Sequence, residues 1–121
     1  MSAGREVTLN LDLQVMEEVA CACGYTVKKA TTVEGYYRGK PILNGKVAEL
    51  VIHSPRHGFE IGINSVKGAN KAEVLADFHG GYVQADLEVL VPLHHAEVLR
   101  RRGFTTEIVK EKSKVFLTVR R

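Results

Sequence analysis

Apolar and polar positions change period several times along the chain, and each change marks an element. Residues 6–11, EVTLNL, alternate with a period of two, the pattern of a strand with one buried face. Asp12 then fits an N-cap, and Leu13, Met16, Val19, Ala20 and Cys23 recur at helical spacing, predicting an amphipathic helix over 13–23 that ends at Gly24. β-branched residues return between Tyr25 and Glu34 as a second strand. Residues 34–45, EGYYRGKPILNG, are rich in turn formers and read as a connection. Three strands follow: KVAELVIH with Ala48, Leu50 and Ile52 on one face, FEIGIN with Phe59, Ile61 and Ile63, and EVLADFH with Val74, Ala76 and Phe78. The short turns SPRHG and SVKGANK between them favour an antiparallel meander.

Residues 84–102 revert to helical spacing through Leu87, Leu90, Val91, His94, His95, Val98 and Leu99, with Pro92 expected to kink or split the helix because it lacks an N–H. FTTEIVKEKSKVFLTV reads as a closing hairpin with Val115, Leu117 and Val119 facing in. The order β-α-β-β-β-β-α-β-β predicts an α+β, two-layer sandwich, an antiparallel sheet with two helices on one face. At 121 residues the chain fits a single domain, 1–121, able to bury a core without staples.

Composition changes this picture little. Charged residues are 26% of the chain and the net charge is +3. Much of the basic excess sits late, in Arg100, Arg101, Arg102, Lys110, Lys112, Lys114, Arg120 and Arg121; this suits contact with phosphate or an acidic partner, but a solvated face with Arg100–Arg102 near a helix C-terminus is the favoured account. Cys21 and Cys23 diverge around a helix, so they do not suit a mutual bridge; Cys23 falls on the core side and Cys21 on the flank. With no run of transmembrane length and no signal-like start, the sequence predicts a cytoplasmic protein that does not enter membranes.

If both helices cover one side of the sheet, its other face stays open. Alternation assigns to it Val47, Glu49, Val51 and His53, then Glu60, Gly62 and Asn64, then Glu73, Leu75, Asp77 and His79. Glu49, Glu60 and Asp77 would then cluster across strands. Carboxylates so close repel and need a cation, a basic neighbour such as Lys28 or Arg120, or a retained proton. Together with His79 they could bind a divalent metal, the one cofactor the residues suit although none is required, or supply a general acid and base, and His95 is a further candidate. The plainer account is a solvated polar face. In the 34–45 connection, Tyr36, Tyr37 and Arg38 either form a binding surface or, as the packing of rings favours, clamp the loop to the body. His94 and His95 point about 100° apart on a helix, which argues against both ligating one ion. His53 and His57 bracket a turn and are expected to be exposed.

The motifs GYTV (24–27), VEGYYRG (33–39), AELVI (48–52), FEIGI (59–63), VLADFHG (74–80), HHAEVLRRRGF (94–104) and FLTVRR (116–121) resemble, in this order, a small family encoded in cyanobacteria and some algal plastid genomes, the hypothetical chloroplast reading frame thirty-five family. The resemblance spans about residues 20–121. It implies acidic residues at Glu49, Glu60 and Asp77, a histidine at His95, an intracellular setting and an ATPase as a partner, and it implies no reaction. Family members usually carry two tryptophans where this chain has Phe78-His79, which turns the emphasis from His79 to the carboxylates.

Three functions are therefore expected, in this order. The first is a non-catalytic binding or adaptor module acting through the open sheet face or the 34–45 loop, with a protein partner or a second copy of itself. The second is a metal-dependent enzyme using the carboxylate cluster, and the third is nucleic-acid binding through the basic C-terminal end.

Overall fold

The computed structural model describes residues 4–37, 39–66, 71–111 and 114–120, with side chains through Thr106. Strand β1 (Gly4–Leu9) leads to helix α1 (Leu13–Ala22). Strands β2 (Thr26–Thr32), β3 (Val47–His53), β4 (Glu60–Ser65) and β5 (Ala72–Asp77) follow, then α2 (Tyr82–Arg101) and a hairpin of β6 (Thr105–Glu111) and β7 (Lys114–Arg120). This is the expected element order. The five-stranded sheet runs β1-β5-β4-β3-β2, antiparallel throughout and not closed. The hairpin is a separate two-stranded unit that runs beside α2. The inward facing of Val115, Leu117 and Val119 lies outside the described side chains.

Both helices pack on one face of the sheet. Met16 and Ala20 of α1 and Val83, Leu87 and Leu90 of α2 join Leu50, Ile52, Ile61, Ile63, Val74 and Ala76 in the main core. Asp12 caps α1 as expected, its carboxylate accepting from the Val15 N–H at 3.1 Å. The helix stops at Ala22, so Cys23 is the capping residue and is exposed, as is Cys21; the core position expected for Cys23 is not found. Pro92 does not split α2. The carbonyl it leaves without an intrahelical donor is that of Glu88, an exposed residue whose backbone water can serve.

One departure from the expected alternation moves residues between faces. The β2–β3 ladder pairs Lys29 with Leu50 and Thr31 with Ala48, but Ala30 between them turns to a left-handed φ of +52°. Opposite it, the Glu49 N–H leaves the regular pattern to donate to Asn64 Oδ1 at 2.7 Å. Past this irregularity β3 changes face. Ala48 therefore does not join Leu50 and Ile52 but packs with Val33, Ile42, Val51 and Leu75 in a second small core.

That second core occupies the face expected to be open. Residues 33–46 fold back over it, closed on themselves by the Ile42 N–H to Val33 carbonyl bond (2.8 Å) and a bridge between Glu34 and Pro41. Gly62 makes the approach possible: a Cβ there would lie 2.8 Å from Ala48 Cβ and closer still to Val33 Cγ2. Gly62→Ala is expected to lower unfolding free energy by about 1–3 kcal/mol through overpacking, measured by denaturant unfolding.

Candidate functional site

Two buried carboxylates hold the 33–46 segment in place. Glu60 and Asp77 are each only 1% exposed. Glu60 Oε1 accepts from the Glu34 N–H at 3.0 Å, and the Glu60 N–H donates back to the Glu34 carbonyl at 3.0 Å. Its other oxygen meets Lys28 Nζ at 2.6 Å and His53 Nδ1 at 3.0 Å. Lys28 is thus the basic neighbour for Glu60. Asp77 accepts from the Tyr36 N–H through Oδ2 (2.9 Å) and from the His79 N–H through Oδ1 (3.0 Å). Gly35 lies so close that a Cβ would be 2.5 Å from Asp77 Cβ, so the loop backbone rests directly on the carboxylate. At the far end of the segment Lys46 bridges Glu6 (2.9 Å) and Glu73 (2.8 Å), bonds that raise its pKa, Glu73 contributing first.

The carboxylate cluster is not assembled. Glu49 is carried by the change of face in β3 to the α1 side, beside Leu13, Gln14, Glu17 and Lys29, where it accepts from the Ser65 N–H at 2.9 Å. Glu60 and Asp77 remain on the opposite face, each occupied by its own donors. Among the described residues no group of three His, Cys, Asp or Glu side chains is placed to hold one ion. The face itself is covered rather than open where Val51, Glu60, Leu75 and Asp77 lie.

The rings of the segment point outward. Tyr36 and Tyr37 are 52% and 42% exposed and meet edge to face at 5.0 Å between centroids, and the exposed His79 ring stands 4.4 Å from Tyr36. The clamp expected of the tyrosines is supplied instead by Val33, Ile42 and Leu43. Arg38 lies outside the described residues.

A second polar cluster went unread in the sequence. Asp86, buried in α2, accepts from Tyr25 Oη at 2.7 Å through Oδ1 and faces His57 Nε2 at 2.8 Å through Oδ2. Arg56 donates to Tyr25 Oη at 3.0 Å. Burial first, then the bond to Asp86 and its charge, pushes the Tyr25 hydroxyl up to about 12. His57 is packed against Phe59 and Tyr82 and mostly buried, not exposed as its turn position suggested. His57 Nδ1 accepts from the Phe59 N–H at 3.1 Å, so Nε2 carries the proton given to Asp86. A histidine with both nitrogens engaged in this way has no free nitrogen with which to act as a base, and the cluster ties α2 to the β3–β4 turn. The signal for it was Asp86 itself, spaced three and four residues from Val83 and Leu90 on the apolar stripe of a helix.

His94 and His95 touch despite being neighbours on a helix. The Asp12 N–H donates to His94 Nε2 at 2.8 Å, and the two Nδ1 atoms are 3.1 Å apart. Burial, then the charge of His95, pulls His94 down to about 4, with the Asp12 carboxylate opposing; burial also lowers His95. Of the basic end, Arg100 pairs with Glu97, and Arg101 with Glu97 and Glu18. The side chains of Lys110, Lys112, Lys114, Arg120 and Arg121 lie outside those described. No helix among the described residues is long and apolar enough to cross a membrane.

Comparison with known proteins finds no matching family model, no matching curated protein and no matching solved structure.

Proposed function

We propose that the protein is a non-catalytic binding module whose contact surface is the outer side of the 33–46 segment, Tyr36 and Tyr37 with His79 beside them. The observation that carries this reading is the contrast between the two sides of one short segment. Its inner side is fixed by two buried carboxylates and an apolar core, while its outer side presents two large rings to solvent. Rings held on a fixed backbone lose little further freedom on binding, and tyrosine is enriched where protein interfaces concentrate their affinity. The partner is a protein surface, with a second copy of this chain as one form of it; the family resemblance would add an ATPase. The metal-dependent reading has less support, because Glu60 and Asp77 already accept from backbone N–H groups and Glu49 lies elsewhere. The nucleic-acid reading is weakened by the carboxylate partners of Arg100 and Arg101.

Tagged protein and its Tyr36→Ser/Tyr37→Ser variant, compared by retention of proteins from cell lysate and by light scattering, test the reading. Retention or self-association weakened at least tenfold in the variant, with unchanged Tm, is the expected result. A monomeric parent protein that retains nothing, or equal retention by both, would overturn it.

A further inference from the structure

A cleft of about 870 Å³ opens between the start of α1 and the second half of α2, lined among others by Asn10, Gln14, Lys71, His95 and Arg102. The hydrogen bonds around it fix the tautomers of both histidines. Because the Asp12 N–H donates to His94 Nε2, the proton of neutral His94 is on Nδ1. That proton is given to His95 Nδ1, which must accept, so the proton of His95 is on Nε2. The ring nitrogen that His94 leaves free on His95, a residue lining the cleft, is therefore a donor, not a base. Lys71 and Arg102, both exposed, line the same cleft, and neither is ion-paired among the described residues. The carboxylate at its edge, Asp12, already accepts from Val15 as the helix cap.

We propose that this cleft binds a small oxyanion, a phosphate or carboxylate group, through His95 Nε2–H, Lys71 and Arg102. Two flexible cations and one fixed N–H suit an anion with several acceptor oxygens, and charge-assisted bonds of this kind are the strong ones. The buried His94, locked by a backbone amide, sets the orientation of the His95 ring and so acts as a positioning residue. The site lies on the helix side of the sheet, away from the Tyr36–Tyr37 surface, and does not depend on the binding role proposed there.

The test is a titration of the intact protein with inorganic phosphate, read by the ring resonances of His94 and His95, with sodium chloride of equal ionic strength as control and sodium acetate as a second arm. The expected result has three parts. Free protein shows His94 as the Nδ1–H and His95 as the Nε2–H tautomer; phosphate shifts the His95 resonances saturably; and Lys71→Gln/Arg102→Gln weakens binding at least tenfold with Tm unchanged. Saturation by acetate alone would place a carboxylate rather than a phosphate in the same site. The opposite tautomers, a shift that chloride reproduces, or equal affinity in the double variant would overturn the proposal.

Discussion

Glu60→Ala is expected to lower the unfolding free energy by about 3 kcal/mol, in the range seen when one partner of a buried charged network is removed. The loss has two sources. The Glu34 N–H, which now donates to Glu60 Oε1, is left without its acceptor, and the attraction of Lys28 and His53 for the same carboxylate disappears. Lys28 is half exposed and can turn to water, so its own charge is not stranded. Glu60→Gln should fall between, since an amide oxygen can still accept from Glu34 while its NH₂ must face the Lys28 ammonium, which can only donate. Denaturant unfolding gives the magnitudes. Amide exchange localises them: in Glu60→Ala, protection at Glu34 and Ile42 should drop while that in α1 and at Ile61–Ile63 is retained relative to the new global stability. Protection at Glu34 unchanged in Glu60→Ala would contradict the role given to this carboxylate.

Acid should destabilise the fold by a route independent of that segment. His94 titrates near 4 in the folded protein against an ordinary 6.5. Between those values the unfolded chain binds the proton more readily, so stability is full above pH 6.5 and is lost as pH falls toward 4. The displacement is worth on the order of 3 kcal/mol, nearly all of it gone by pH 4. The physical cause is that a protonated ring would be buried beside another histidine and would lose Nε2 as acceptor for the Asp12 N–H. In His94→Gln, whose side-chain oxygen can accept from the same amide, the loss between pH 7 and pH 4 should shrink by about 2–3 kcal/mol. Parallel stability curves for the two proteins across that range would sink this account.

The arrangement of helices and strands was legible because each element carries its own period. The alternation in β4 and β5 and the stripe of α2 place Ile61, Ile63, Val74, Ala76, Leu87 and Leu90 in one core, where they are found. What could not be read was any feature that depends on a break in that period. Nothing at Ala30 or Glu49 announces that the β2–β3 pair changes face, yet that change alone removes Glu49 from the company of Glu60 and Asp77. The covering segment was hidden for a related reason. A stretch with Gly35, Gly39, Pro41 and Asn44-Gly45 reads as a connection that its tyrosines would clamp to the body, and the apolar residues that do fold it inward, Val33, Ile42 and Leu43, have no regular spacing. Gly62 in the middle of a strand was the available clue, since a glycine there leaves room for another backbone. Lys28 as the partner of Glu60 was legible from charge balance; the histidine contact was not, because adjacency on a helix suggests divergence and the two rings reach each other only through Nδ1 on both.

The left-handed residue in β2 also bears on how copies of this protein meet in solution. β2 is a margin of the five-stranded sheet, with a row of amide and carbonyl groups that a neighbouring chain could extend. Ala30 interrupts that row at its middle. A second molecule attempting to add a strand there would find no straight template, so edge-to-edge extension of the sheet is disfavoured at this border by the same kink that sends Glu49 to the helix side.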